Sequence, residues 1–273
     1  MNTQRIALIG PGRVGRALAR LLPAAGYEVA AFGGRDPARL RETIRALNPP
    51  PEACSITEAT SRADVVLLTV RDDAIGEIAR QSTFRRGAIV LHLSGALSSA
   101  ILQPAKEQYG CFIASMHPLQ TFATVEQAVL SLPGSYCFIE GDEPAAETAV
   151  RLAEALGMIP RRIAPENKTA YHAAAVLACS GLTVLLDAAE QTAKAAGITR
   201  EDFWDAFSPL MQATFRNVRA LGAATALTGP AKRGDIQTIH AHLEALATHP
   251  ELQEIYRLLS DHAARITTNE LVK

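Results

Sequence analysis

An α/β half followed by an all-α half is the fold class that the sequence predicts, and three observations predict it. Short runs of Val, Ile, Leu and Ala recur through the first 163 residues, separated by segments with helical spacing. A glycine-rich turn, Gly10-Pro11-Gly12-Arg13-Val14-Gly15, joins the first run to the first helical segment. Beyond Ala164-Pro165-Glu166-Asn167 only a 3.6-residue period remains, and Pro165 disfavours helix at the residue before it. The expected domains are therefore 1–163 and 164–273.

The elements follow in order. Arg5–Ile9 reads as a buried strand, and Val14, Leu18, Leu21 and Leu22 form a helical stripe ending at Gly26. Glu28–Phe32 is a second strand and Pro37–Leu47 a helix. Asp64–Val70 and Ala88–Leu93 are further strands, with Cys111–Met116 and Tyr136–Ile139 extending the sheet. Uninterrupted apolar runs between helices indicate a parallel sheet covered on both faces. Asn48-Pro49-Pro50-Pro51 reads as a loop.

Composition excludes several functions. Twenty-seven Lys and Arg against 28 Asp and Glu give a net charge of -1, without the basic excess that phosphate-backbone binding requires, so no nucleic-acid partner is expected. The 4 cysteines are scattered, with neither the density of a disulfide scaffold nor the paired spacing of a zinc site. Reduced thiols, a cytoplasmic location and no metal are expected. The apolar run Ile6–Ile9 is too short for a signal peptide, and Ala173–Leu186 is too short to span a bilayer, so the latter is expected to be a buried helix and no membrane partner is anticipated.

The glycine turn fits GxGxxG in the context that gives the pattern meaning: after a strand, opening a helix, returning to a second strand. Gly10 permits the tight turn, Gly12 the approach of a pyrophosphate, and Gly15 close helix packing, with Pro11, Arg13 and Val14 completing a Rossmann nucleotide site. NAD-binding folds usually end the second strand on a carboxylate. Here Phe32-Gly33-Gly34-Arg35 has none. Arg35, after Gly34, can pair with a 2′-phosphate, so NADP(H) is the expected cofactor, while Asp36 reads as an N-cap before Pro37. Ligands of open α/β sheets lie at strand carboxyl ends, which brings in Val70 and Ser94, the latter beside nicotinamide or substrate.

A nicotinamide supplies only the hydride, so a proton donor must come from the chain. Lys168, Tyr171 and His172 share one helix face by their i, i+3, i+4 spacing, and His117 stands at the exposed end of a strand before Pro118. In Leu227-Thr228-Gly229-Pro230-Ala231-Lys232-Arg233-Gly234-Asp235, Arg233 is placed to hold a substrate anion and Asp235 to cap the next helix. His240 and His242, two apart, do not form a zinc pair.

These motifs, together with His92-Leu93-Ser94-Gly95, His117-Pro118-Leu119-Gln120-Thr121-Phe122 and Tyr171-His172-Ala173-Ala174, make the chain resemble bacterial Rossmann-like proteins with a helical C-terminal domain of unknown function. It is similar, more distantly, to pyrroline-5-carboxylate reductase and the deazaflavin-dependent NADP oxidoreductases. The resemblance implies a helical domain like the C-terminal part of 6-phosphogluconate dehydrogenases, and a homodimer built through those helices. The apolar Ala173–Leu186 segment points to the same assembly. In those dehydrogenases a Lys followed one turn later by an Asn begins this helix, and here Lys168 and His172 take those places. The function expected is an NADP-dependent oxidoreductase acting on the C=N or C=O, or the reverse, of a small carboxylated metabolite held between the domains. The alternative is a non-catalytic dimer that binds or senses NADP(H).

Overall fold

A computed structural model describes residues 4–268. The chain divides into two compact units, Met1–Cys179 and Ser180–Lys273. The first unit contains β1 (Arg5–Ile9), α1 (Arg13–Ala24), β2 (Glu28–Gly34), α2 (Pro37–Ile44), β3 (Glu52–Ser55), α3 (Ile56–Arg62), β4 (Val65–Leu68) and α4 (Asp72–Gln81). It continues with β5 (Ile89–His92), α5 (Gln103–Tyr109), β6 (Phe112–Pro118), α6 (Val125–Ser131), β7 (Tyr136–Gly141), α7 (Glu143–Ala155), β8 (Ile159–Arg162) and α8 (Lys168–Val176).

The strands form an 8-stranded sheet in the order β3-β2-β1-β4-β5-β6-β7-β8. Alternation along buried strands produces two cores, one on each face. Ile6 and Leu8 of β1 join Leu18, Leu22, Phe32, Leu67 and Leu91 in one cluster, while Ala7 and Ile9 join Val66, Leu68, Ile75 and Val90 in the other. Both faces must be covered for such a strand to be stable, and helices cover both.

Three features of the sheet differ from the sequence expectation. The β6–β7 pair is antiparallel, so β7 and β8, parallel to each other, run against the six strands before them. Past the prolines at 49–51, a short strand β3 pairs with β2 at the sheet's edge, where a proline-led strand loses no ladder bond. His117 lies on an interior strand that runs on into Pro118, half-buried rather than exposed at an edge.

The compact units part at Cys179/Ser180, beyond the change of pattern at Ala164–Asn167, because Lys168 is buried among residues of the sheet unit. The second unit is helical: α9 (Leu182–Ala195), α10 (Arg200–Leu221), α11 (Ala223–Ala226), α12 (Pro230–Arg233), α13 (Ile236–Ala245) and α14 (Pro250–Thr268). A π turn at Leu177–Gly181 precedes α9. The expected buried helix at Ala173–Leu186 is instead exposed, with Val176, Leu177, Leu182, Val184 and Leu185 on the surface. By length and composition the helical segment Pro165–Ala195 also suffices to cross a membrane, and only 6% of its most apolar window is buried.

Candidate functional site

The glycine turn occupies the carboxyl end of β1. Gly10 has φ +103°, and a Cβ there would lie 2.7 Å from Val70 Cγ1 and 2.9 Å from the Thr69 carbonyl oxygen. A Cβ on Gly15 would run into the Gly10 carbonyl and lie 2.5 Å from Thr69 Oγ1. Thr69, which the sequence did not single out as an individual residue, bridges the turn, its hydroxyl 2.9 Å from the Ile9 carbonyl and 2.8 Å from that of Gly10.

Gly12 caps α1 with no side-chain bond, and no acid stands in the first turn. The leading amides of a 12-residue helix are thus left for an anion, beside exposed Pro11, Gly12 and Arg13. This side-chain-free cradle fits a dinucleotide pyrophosphate. Arg13 donates to the Phe122 carbonyl at 3.3 Å, and Val14 packs against the core.

At the end of β2, Gly33 and Gly34 are buried and Arg35 is exposed. Asp36 Oδ1 accepts from the amides of Ala38 and Arg39 at 3.0 and 3.1 Å, so this carboxylate is committed to capping α2, as its position before Pro37 predicts.

The second cluster stands at the ends of β5 and β6 and on α8. Wholly buried His92 accepts the Ser94 amide on Nδ1 (3.2 Å), which leaves Nε2–H to donate to the Ser98 carbonyl (3.2 Å); burial pushes its pKa down to about 3, so it stays neutral. Ser94 Oγ donates to Asp72 at 2.8 Å and accepts the amides of Ala96 and Leu97. Its hydroxyl therefore shapes the loop.

Gly95 follows. A Cβ on it would lie 2.8 Å from His117 Cε1 and Nε2, and closer still to His172 Nδ1. Both imidazoles thus converge on this glycine, their ring centroids 5.7 Å apart. His117 Nδ1 lies 2.7 Å from the Tyr171 hydroxyl. Burial, with a smaller contribution from Cys137, pushes the Tyr171 phenol well above its ordinary range, so it keeps its proton and donates it to Nδ1. Burial, then His172 and Lys168, lowers His117 to about 4, so the ring is neutral and carries its hydrogen on Nε2, the nitrogen beside Gly95. Among the described residues, His172 Nδ1 is buried without a hydrogen-bond partner.

Lys168, on the same helix face, is directed elsewhere. Its side chain is 2% exposed, and Nζ donates to the Ser94 carbonyl (3.0 Å) and to Ser115 Oγ, with Glu140 Oε1 at 3.7 Å. Glu140, Gly95, His92 and Asp72 were not singled out individually from the sequence, because the order and register of β4, β5, β6 and β7 bring them together.

In the second unit, Asp235 caps α13 by accepting the Thr238 amide (3.1 Å) and hydroxyl (2.8 Å). Lys232 donates to the carbonyls of Ala224 and Thr225, and exposed Arg233 forms no ion pair among the described residues. Elsewhere in the first unit, a cavity of about 390 Å³ is lined by Ser98, Gln103, Lys106, Glu140, Asp142 and Arg162 and by none of the residues singled out from the sequence.

Residues 2–118 match the model of a Rossmann-like domain and residues 135–263 that of a domain of unknown function, DUF2520. Among solved structures, a Bacteroides fragilis protein named provisionally as an NADP oxidoreductase is 25% identical, with TM-score 0.79 over 96% of this chain and 98% of that one. An imine reductase from Pseudomonas sp. is similar at 16% identity and TM-score 0.73, over 96% of this chain and 94% of that one. A reductive aminase from Aspergillus terreus, solved with NADPH and ethyl-5-oxohexanoate, is similar at 14% identity and TM-score 0.75, over 97% and 94%. The fold is therefore one shared with NADP-dependent oxidoreductases.

Proposed function

We propose that this chain, joining a Rossmann-like domain to a DUF2520 domain, is an NADP(H)-dependent oxidoreductase acting on the carbonyl or imine of a small metabolite. The observation that carries the reading is the convergence of His117 and His172 on Gly95, at the same carboxyl edge of the sheet as the glycine turn. The Gly10–Gly15 turn holds the pyrophosphate on the amides of α1. Arg35 pairs with a 2′-phosphate, because Asp36 is spent on its cap and leaves no carboxylate to accept ribose hydroxyls or repel the phosphate.

The bound nicotinamide supplies a hydride to carbon. A proton must then reach the oxygen or nitrogen. His117 Nε2–H donates a hydrogen bond to that atom, and Tyr171, donating to Nδ1, keeps the proton on Nε2. His172 Nδ1, lacking a partner among the described residues, is the group that exchanges the proton. Lys168 acts as a buried cation holding the Ser94 carbonyl rather than by touching substrate.

The test is a titration with NADPH and NADH followed by nicotinamide fluorescence, then turnover on cyclic imines and 2-oxo acids. NADPH is expected to bind more tightly than NADH, and Arg35→Ala to remove about tenfold or more of that preference, the size of one charge-assisted bond. His172→Ala is expected to keep nucleotide affinity and lose at least about 100-fold in kcat, as a lost proton-transfer group does. Equal binding of both nucleotides, unchanged in Arg35→Ala, removes the NADP assignment. Binding without turnover on any substrate favours a sensor.

We also propose a homodimer through the C-terminal helices. Val176, Leu177, Leu182, Val184, Leu185, Leu210 and Phe215 are exposed, more apolar surface than a monomer ordinarily leaves in water. Light scattering at micromolar concentration is expected to give twice the 29.1 kDa chain mass. A monomer there would remove the proposal.

A further inference from the structure

We infer that Glu140 is a positioning residue for this reaction: from β7 it holds the Lys168 ammonium against the Ser94 carbonyl and Ser115, and so fixes the strand ends that carry Gly95 and His117. The inference rests on the oxidoreductase reading above.

In the antiparallel ladder Glu140 lies directly opposite Ser115, and His117 follows Ser115 by two on the same face of β6. The ammonium thus ties together three neighbouring strands, through Ser94 after β5, Ser115 midway along β6 and Glu140 on β7. Glu140 is itself fixed, Oε1 accepting the Ser99 amide at 2.8 Å and Oε2 the Ser99 hydroxyl at 2.7 Å. Both side chains are 2% exposed.

An ion pair removed from water is seldom a net stabiliser, and apolar residues of the same volume would serve the core as well or better. A fully satisfied pair next to the two histidines is therefore explained by what it orders. The charged and titratable groups facing Lys168 are Glu140 and Cys137 from β7, Asp72 from α4, His92 from β5 and His117 from β6, with Tyr171 and His172 on its own helix. Burial pulls Lys168 towards the neutral amine, and Glu140 opposes this first, Asp72 less. Without the Glu140 charge the amine deprotonates at lower pH and loses one of the donors that hold the Ser94 carbonyl and Ser115.

The experiment uses Glu140→Gln, which keeps the shape and removes the charge, in the full-length protein. The alkaline limb of kcat/KM is expected to move at least about one unit to lower pH, because a buried lysine has lost its counter-charge. NADPH affinity is expected to stay within about twofold, since Glu140 lies on β7, away from the glycine turn. A role in packing alone lowers thermal stability and leaves the limb in place. The double variant Glu140→Gln/Lys168→Met leaves no buried charge unpaired. It is expected to recover stability without recovering turnover, and it carries the test if the single variant does not fold.

An unmoved limb in Glu140→Gln, or turnover restored in the double variant, overturns the inference. Ring NMR of His117 gives a readout independent of any substrate: its titration midpoint, which burial, His172 and Lys168 push down to about 4, is expected to rise in the double variant, where the Lys168 charge is gone, and not in Glu140→Gln, where the lysine keeps its charge at that pH. A wild type that turns over nothing, with a midpoint that still rises in the double variant, sinks the oxidoreductase reading and leaves the electrostatic tie standing. A midpoint that does not move in the double variant sinks the tie.

Discussion

Gly95→Ala is expected to abolish turnover while NADPH still binds. The added methyl would stand 2.8 Å from His117 Nε2 and nearer to His172 Nδ1, so at least one imidazole must move. His117 is anchored by its bond to Tyr171, and Tyr171 packs on Phe138 with ring centroids 4.4 Å apart. No hydrogen bond among the described residues anchors His172 Nδ1, so His172 is the ring that gives way. A displacement near 1 Å at a reacting group costs about 100-fold in rate, and overpacking a tight site costs about 1–3 kcal/mol of stability. The measurement is kcat, Kd for NADPH and thermal midpoint on one preparation. A variant with wild-type kcat would show that the histidines do not work where they converge.

Gly10→Ala is expected to have the complementary outcome, with nucleotide binding lost and the histidine cluster intact. At φ +103° an L-residue is strained by about 1–3 kcal/mol. Its Cβ must also displace Val70 or the Thr69 carbonyl, and Thr69 carries the hydroxyl that bridges Ile9 and Gly10. The turn cannot relax without moving the amides of α1 away from the pyrophosphate. A loss of at least about 100-fold in NADPH affinity is expected, equivalent to about 2.7 kcal/mol. Binding within threefold of wild type would mean that the dinucleotide does not use this turn.

The two sites differ in how far the sequence reveals them. The nucleotide turn is a local object: glycines at fixed offsets, a strand before and a helix after, all within one continuous segment. The caps at Asp36 and Asp235 are equally local, each bonding amides within three residues of itself. The histidine cluster is legible only in part. Spacing groups Lys168, Tyr171 and His172 on one face, but cannot tell that Lys168 turns under the strand ends while its neighbours meet His117. Glu140, Gly95 and Asp72 enter through strand order and register, which depend on contacts between distant segments. The exposed helix from Ala173 fails for a similar reason, since apolar composition records a need for cover and not its source.

The reversal of β7 has a consequence for how polarity is distributed along the sheet's upper rim. Around β1 and β4 every strand emerges into a helix start, so the rim there is rich in unpaired amides and welcomes phosphate. Because β7 runs the other way, it presents its beginning beside His117, and that beginning brings Cys137 and Phe138. The rim thus grades from an anion-seeking half to a dry, aromatic half within one continuous sheet. The proposed NADP(H), with its negative charge on its phosphates, would have one favourable direction along such a gradient, with its pyrophosphate at the glycine turn and its nicotinamide end towards the histidines.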